Sequence, residues 1–394
     1  MKKKSFFRSN GVQSLLASLI CILLGLLVGY IVLLFINPQG AGKAILTVVK
    51  NFFDYSRPAT RLKYFGETLV KTAPLLMCSL SVLFAYKVGL FNIGAAGQYV
   101  VGSCACLYGA LVLQWSWLPC MLLAIAAGML FGAIVGLLKA YCNVNEVISG
   151  IMLNWIVLYL TNMLLTTVKE DASPYTKVLA HINESAVLPS LGLGALFKAA
   201  LLPSMGLEKL FSDDQYVTIA IPLSILIAIG IWVLLEKTRF GYELKATGFN
   251  KNAAKYCGMA ENRNILLTLL IAGGLAGLGG SFYYQTGIEQ WECTLASVPA
   301  MGFNGIAATF LGGLNPIGTI FSSFFIQHIT SGGAYVDRTM YCSQISDLIS
   351  AFIIYLCGFV LFLKQTMSGM AARRDKKKAI AQEDKNAAKG GDAQ

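Results

Sequence analysis

The residues with chemistry to offer are carboxamides and glycines set into apolar surroundings. They are Asn92, Gln98, Asn145, Asn154, Asn162, Gln285, Asn304 and Asn315, with Glu146 beside Asn145. Such groups are expensive in hydrocarbon, so they face a bundle interior or a wet cavity, where they either bond neighbouring helices or line a route for a polar solute. The glycine-rich stretches Asn92 to Gly97 and Gly302 to Gly305 read as breaks in two helices, one in each half of the chain, as expected of interrupted helices along a path. Covalent catalysis has little to work with. The motif G-x-x-x-x-G-K-[ST] does not occur, because Gly42-Lys43 lacks the upstream glycine and the following hydroxyl residue; H-E-x-x-H and G-x-S-x-G are absent too. The two histidines, His181 and His328, stand alone, without metal-ligand spacing. A carrier coupled to protons or sodium keeps ionisable groups in mid-membrane, whereas Glu146 and Asp347 fall at predicted span ends. Neutral carboxamides suit a polar, uncharged solute.

The elements that must position these groups are membrane helices. Of 394 residues, 56% are apolar and 13% charged, against about 25% charged in soluble domains, which excludes a single soluble domain. Hydropathy predicts an all-α polytopic membrane protein with ten spans. They lie near Ser14–Ile36, Leu69–Ala85, Tyr99–Leu113, Leu118–Leu138, Val147–Leu165, Val217–Leu235, Ile265–Tyr283, Met301–Leu314, Ile317–Ile329 and Ile345–Leu363. The eighth and ninth are short, glycine-rich and separated by Asn315-Pro316, the pattern of broken or re-entrant helices. Lys2, Lys3 and Lys4 before the first span, and Arg373, Arg374, Lys376, Lys377 and Lys378 after the last, place both termini in the cytoplasm by the positive-inside bias. An even number of crossings follows.

This topology divides the chain into a cytoplasmic N-terminus (1–13), a membrane domain (14–363) and a basic cytoplasmic tail (364–394) without an apolar face. Within the membrane domain, an outer loop spans 166–216 and a cytoplasmic loop 236–264. The outer loop, with Pro174, Pro189 and Pro203, is long enough for a small cap. The cytoplasmic loop carries Asn252-Ala-Ala-Lys255 between Gly248 and Gly258, which predicts a short helix between two glycines. The stretch Lys43 to Lys71, with Ile45, Val48, Val49, Phe52 and Phe53, is amphipathic and could lie along the outer surface. Most of the ten cysteines lie in apolar segments as small hydrophobes; Cys293 and Cys342, both on predicted outer loops, could pair. The net charge of +11 could point to nucleic acid, but with both ends inside the excess falls on the cytoplasmic side. It is then a topology signal, with the tail lysines at an anionic leaflet, and no nucleic-acid partner is implied.

Three ordered blocks carry a resemblance. Asn92-Ile-Gly-Ala-Ala-Gly-Gln98 follows Gly89-Leu-Phe; Asn145-Glu-Val-Ile-Ser149 precedes Met152-Leu-Asn154; and Gly302-Phe303-Asn304-Gly-Ile306 precedes Leu314-Asn-Pro-Ile-Gly318. Over about Leu69 to Leu363 the chain resembles bacterial ABC-transporter permeases of the simple-sugar and nucleoside family, ribose-permease-like and distantly similar to branched-chain amino acid permeases. Ala96 stands where that family commonly has glutamate. The second block and the long outer loop are similar to the nucleoside branch. The resemblance implies a permease subunit in the bacterial plasma membrane that imports nucleosides, with simple sugars as the alternative cargo and an ion-coupled carrier as the rival class. It implies a second, homologous permease subunit, a cytoplasmic ATPase that binds ATP and Mg, and an outer substrate-binding lipoprotein, with no cofactor in this chain. The carboxamides and helix breaks place Asn92, Gln98, Asn145, Glu146, Asn154, Phe303 and Asn304 on the expected translocation path, and the resemblance assigns Gly248, Asn250, Asn252, Ala253, Ala254 and Gly258 to ATPase coupling. Phe91-Asn-Ile-Gly94 also echoes Phe303-Asn-Gly-Ile306, as an internal duplication would produce and as chance also could.

Overall fold

A computed structural model describes residues 10–54, 56, 58–168, 176–177, 179, 182–190, 218–333, 336, 340–341, 345–360, 362–366 and 369. The basic N-terminus, most of the outer loop, Cys342 and the tail beyond 369 lie outside them. Among the described residues the chain is built of helices: α1 (Asn10–Ile36), α2 (Ala41–Lys50), α3 (Pro58–Lys87), α4 (Ala95–Leu111), α5 (Trp117–Cys142), α6 (Glu146–Thr166), α7 (Ala220–Lys237), α8 (Arg239–Phe249), α9 (Lys251–Tyr256), α10 (Glu261–Tyr284), α11 (Met301–Leu311), α12 (Pro316–Gly333) and α13 (Ile345–Cys357). A two-residue antiparallel pairing of Thr176–Lys177 with Trp291–Glu292 is the accompanying strand structure.

All ten hydropathy segments coincide with helices. Six of these are long and apolar enough to cross a membrane, within α1, α3, α5, α6, α7 and α10. The other four, α4, α11, α12 and α13, are shorter or more polar, with 17, 11, 18 and 13 residues. At 1.5 Å per residue α11 reaches only about 16 Å, half of the roughly 30 Å hydrocarbon core. Its end is written locally. Gly313 and Leu314 adopt left-handed φ of +68° and +57°, and their N–H groups donate to Phe310 and Thr309 carbonyls. The Asn315 side chain then accepts from the Ile317 N–H at 2.9 Å, with Pro316 in the first position of α12, where a missing N–H costs nothing. The eighth and ninth segments are therefore two helices joined by a tight turn.

α10 sits at the centre, against α3, α4 and α5, while α6 covers α4 and α7 covers α3. Small residues make that density possible, as in membrane bundles generally. A Cβ on Gly102 would lie 2.4 Å from Gly277 Cα, and one on Gly128 would lie 2.4 Å from the Gly273 carbonyl oxygen. A second core joins α1, α2, α11, α12 and α13 through Ala17, Leu33, Val48, Ala308, Ile329 and Ile353, with Leu75 of α3.

The amphipathic stretch after α1 forms α2, which packs one face on the bundle: it buries Ala41, Ala44, Thr47 and Val48, and the Val48 carbonyl oxygen sits 2.3 Å from where a Gly332 Cβ would be. Val49 and Phe53 remain exposed. The second span begins well before Leu69, because hydropathy stops at the charged residues whereas the helix continues through them. Lys71 is held there by Glu67 at 3.1 Å and by Glu289 at 2.8 Å.

Candidate functional site

The interruption between α3 and α4 is a braced break. After Lys87 the chain turns through Gly89, at φ +76°, and α4 starts without a side-chain cap from Gly94. Its orphan groups are satisfied from α6. Asn154 Oδ1 accepts the Gly97 N–H at 2.8 Å, and Asn154 Nδ2 donates to the Ile93 carbonyl at 3.1 Å. One carboxamide thus covers a donor and an acceptor that a helix terminus in hydrocarbon would otherwise leave bare. Beside it Asn92 and Gln98 form a reciprocal pair: Asn92 Nδ2 donates to Gln98 Oε1 at 2.8 Å, and Gln98 Nε2 donates to Asn92 Oδ1 at 3.2 Å. The second Asn92 proton goes to Ser81 Oγ on α3 at 3.0 Å. Asn92, Gln98 and Asn154 are 2%, 0% and 2% exposed, so in this conformation they are struts of the break.

The remaining residues assigned to a path stand elsewhere. Asn145 caps α6 and is exposed, accepting from the Val147 and Ile148 N–H groups at 2.8 and 3.4 Å. Glu146, in the first turn of α6, pairs with Lys139 at the end of α5 at 2.7 Å. The Asn-Glu-Val-Ile-Ser block is therefore, at the level of contacts, a helix start stapled to its neighbour. Phe303 is exposed and Asn304 half-buried on the first turn of α11. That turn abuts the first turn of α4, since a Cβ on Gly302 would lie 2.4 Å from Ala96 Cα. The two glycine-rich breaks thus meet in space. Ala96, the departure from the family pattern, is the residue Gly302 packs against; a longer side chain would leave from this contact.

The coupling loop contains the short helix expected between Gly248 and Gly258, α9, and a second helix before it, α8. α9 is short and capped at both ends: Asn250 Oδ1 accepts the Ala253 N–H at 3.0 Å, and Gly258, at φ +78°, ends it with N–H bonds from Gly258 to Lys255 and from Met259 to Ala254. Gly248, expected to flank a helix, lies inside α8, because its bare Cα is used for packing. A Cβ there would sit 2.1 Å from the Val88 carbonyl oxygen. α8 is tied to α10 as well, where Asn264 Nδ2 donates to Thr247 Oγ1 at 2.8 Å. The coupling segment is consequently in backbone contact with the chain entering the α3–α4 break.

Ala254 is buried under α9, while Asn252 and Ala253 are exposed. Phe249 and Tyr256, at 96% and 94%, are almost fully exposed and flank α9. They were not among the expected coupling residues. The available signal was two aromatics in a charged loop whose apolar spacing gives neither a buried position.

Membrane-length apolar helices around a glycine-packed centre, with broken helices braced by carboxamides, define a multi-pass membrane protein of the transport class. The family model described as "Branched-chain amino acid transport system / permease component" matches residues 64–371, and the chain belongs to that family. Among curated relatives it is 31% identical to the guanosine ABC transporter permease protein NupP of Bacillus subtilis, over 87% of this chain and 92% of that one. It is 29% identical to the nucleoside ABC transporter permease protein NupB of Lactococcus lactis, over 91% and 94%. A glucose ABC transporter permease protein of Haloferax volcanii is 28% identical over 85% of each chain. No solved structure matches the chain.

Proposed function

We propose that this chain is one of two unlike permease subunits of an ATP-driven nucleoside importer. The observation that carries the reading is the coupling segment: two exposed aromatics flank α9, and α8 touches the α3–α4 break through Gly248 and Val88. Exposed aromatics beside a short capped helix are suited to anchor in a protein cleft. A P-loop is missing from this sequence, so ATP and Mg are assigned to a separate ATPase in which α9 docks. Closure of that subunit would move α8 as a rigid body, and with it the turn at Val88 and Gly89. Both termini and α8–α9 are then cytoplasmic, with an outer lipoprotein delivering the solute.

Nucleoside is preferred as cargo because the relatives of greater identity are named for guanosine or nucleoside transport. The glucose-named relative keeps a simple sugar as the second reading. In the path we place Asn145, Glu146, Phe303 and Asn304, accessible in this conformation, and Asn92, Gln98 and Asn154, which become so when α4 and α6 part. Alkylation of cysteines placed at Asn92, Asn154 and Asn304 should change with ATP-state traps; uniform, unreactive cysteines would assign all three to packing alone. The whole reading is tested by reconstituting the complex and comparing uptake of labelled guanosine, uridine and ribose. ATP-dependent nucleoside uptake with little ribose uptake is expected, and ribose uptake alone would replace the cargo.

A further inference from the structure

A cavity of about 650 Å³ opens where α1, the α11–α12 turn and α12 meet, lined by Leu19, Ile22, Ile317, Phe321, Phe324 and Phe325, with Lys364 among its lining residues. It falls within the roughly 300–1,000 Å³ range of small-molecule sites, yet it lies in neither helix break nor the coupling segment. Its mouth is open and apolar. Leu19 and Phe321 are 47% and 72% exposed, and Leu19 continues along α1 into the exposed stripe Leu23, Leu27 and Ile31, an aliphatic face without a polar group. The lining is apolar but for a few small polar residues whose capacity is engaged locally: Ser322 Oγ donates to the Ala308 carbonyl, and Asn315 caps α12.

Charge marks one end. Lys364 is the basic residue among those lining the cavity, so an ammonium group stands at the edge of an apolar hollow.

We propose that this cavity binds an anionic phospholipid, with an acyl chain among Leu19, Phe321 and Phe325 and its phosphate at Lys364. A neutral apolar ligand would leave the cation unmatched, and a soluble anion would leave the aromatic wall empty. The site depends on membrane embedding and on Lys364, and is independent of which solute is carried.

The test is native mass spectrometry of the full chain in detergent, offered phosphatidylglycerol or phosphatidylcholine with matched acyl chains. Phosphatidylglycerol should be retained preferentially. Lys364→Gln should lower its retention about fivefold, the effect of about 1 kcal/mol for one basic group at an anionic lipid surface, and leave phosphatidylcholine unchanged. Leu19→Trp, which fills the mouth from an exposed position, should displace both lipids. If that variant does not fold, Phe321→Trp serves in its place. Equal retention of the two lipids, or normal retention in the filled variant, would overturn the proposal. So would displacement by inorganic phosphate alone, which would mean an anion site without a chain. A filled variant that keeps its lipid but no longer assembles with a second permease subunit would give the cavity to that subunit instead.

Discussion

Asn154 shows how one side chain can hold a helix break together in a membrane. Its carboxamide bonds Gly97 N–H and the Ile93 carbonyl across 57 and 61 positions of sequence. Asn154→Ala should strip both, leaving two buried backbone groups unsatisfied at about 1–3 kcal/mol each. A fall in the thermal midpoint of the purified chain, larger than for Asn145→Ala at its exposed cap, is the expected result. Asn145 was read as a carboxamide of the path, whereas its side chain caps α6. The bracing role of Asn154 was not legible, because nothing near it in sequence names Gly97 as a partner. Phe249 and Tyr256 belong to the same scale. Replacing both with alanine removes large exposed aromatics, so the fold should persist while solute-stimulated ATP hydrolysis falls at least about tenfold, the size of a weak anchor's contribution to an interface. Ala253→Arg, on the exposed side of α9, should act likewise, whereas changes at buried Ala254 would confound docking with folding. Co-purification of the second permease subunit and ATPase assays on the complex separate these outcomes.

Among elements, α8 is the piece that joins coupling to the break. Gly248→Leu would force a side chain where the Val88 carbonyl oxygen stands 2.1 Å from even a Cβ. α8 and the α3–α4 turn must then separate. The complex should still assemble and hydrolyse ATP but lose uptake, read as the ratio of solute moved to ATP consumed; an unchanged ratio would remove this contact from the coupling route. Central α10 invites a second comparison. A Cβ on Gly277 would come within 2.5 Å of the Ala124 carbonyl oxygen, whereas exposed Gly230 in α7 has nothing within 4 Å. Gly277→Ala should destabilise by about 1–3 kcal/mol through overpacking. Gly230→Ala should be neutral or stabilise by up to about 1 kcal/mol by removing a flexible residue from a helix. Thermal melts of the two variants in the same detergent decide it. The partners of each α10 glycine depend on how that helix is rotated against α3, α4 and α5.

For the molecule as a whole, the sequence alone determined that this is a helical membrane protein, roughly where its helices lie, and to which family it belongs. Hydrocarbon makes that possible: every spanning segment must satisfy its own backbone and present apolar side chains, so local composition reports the element directly. The break between α11 and α12 at Asn315-Pro316 was readable as well, since its bonds close within a few residues. Only the tertiary structure decided that the two glycine-rich breaks meet at Ala96 and Gly302, that three of the expected path residues serve as struts in this conformation, and that Gly248 lies inside a helix against Val88. It also brought Lys364 to a cavity between α1 and α12. These are contacts between residues far apart in the chain. They are set by helix rotation and register in a closely packed bundle, and no local pattern of residues encodes either.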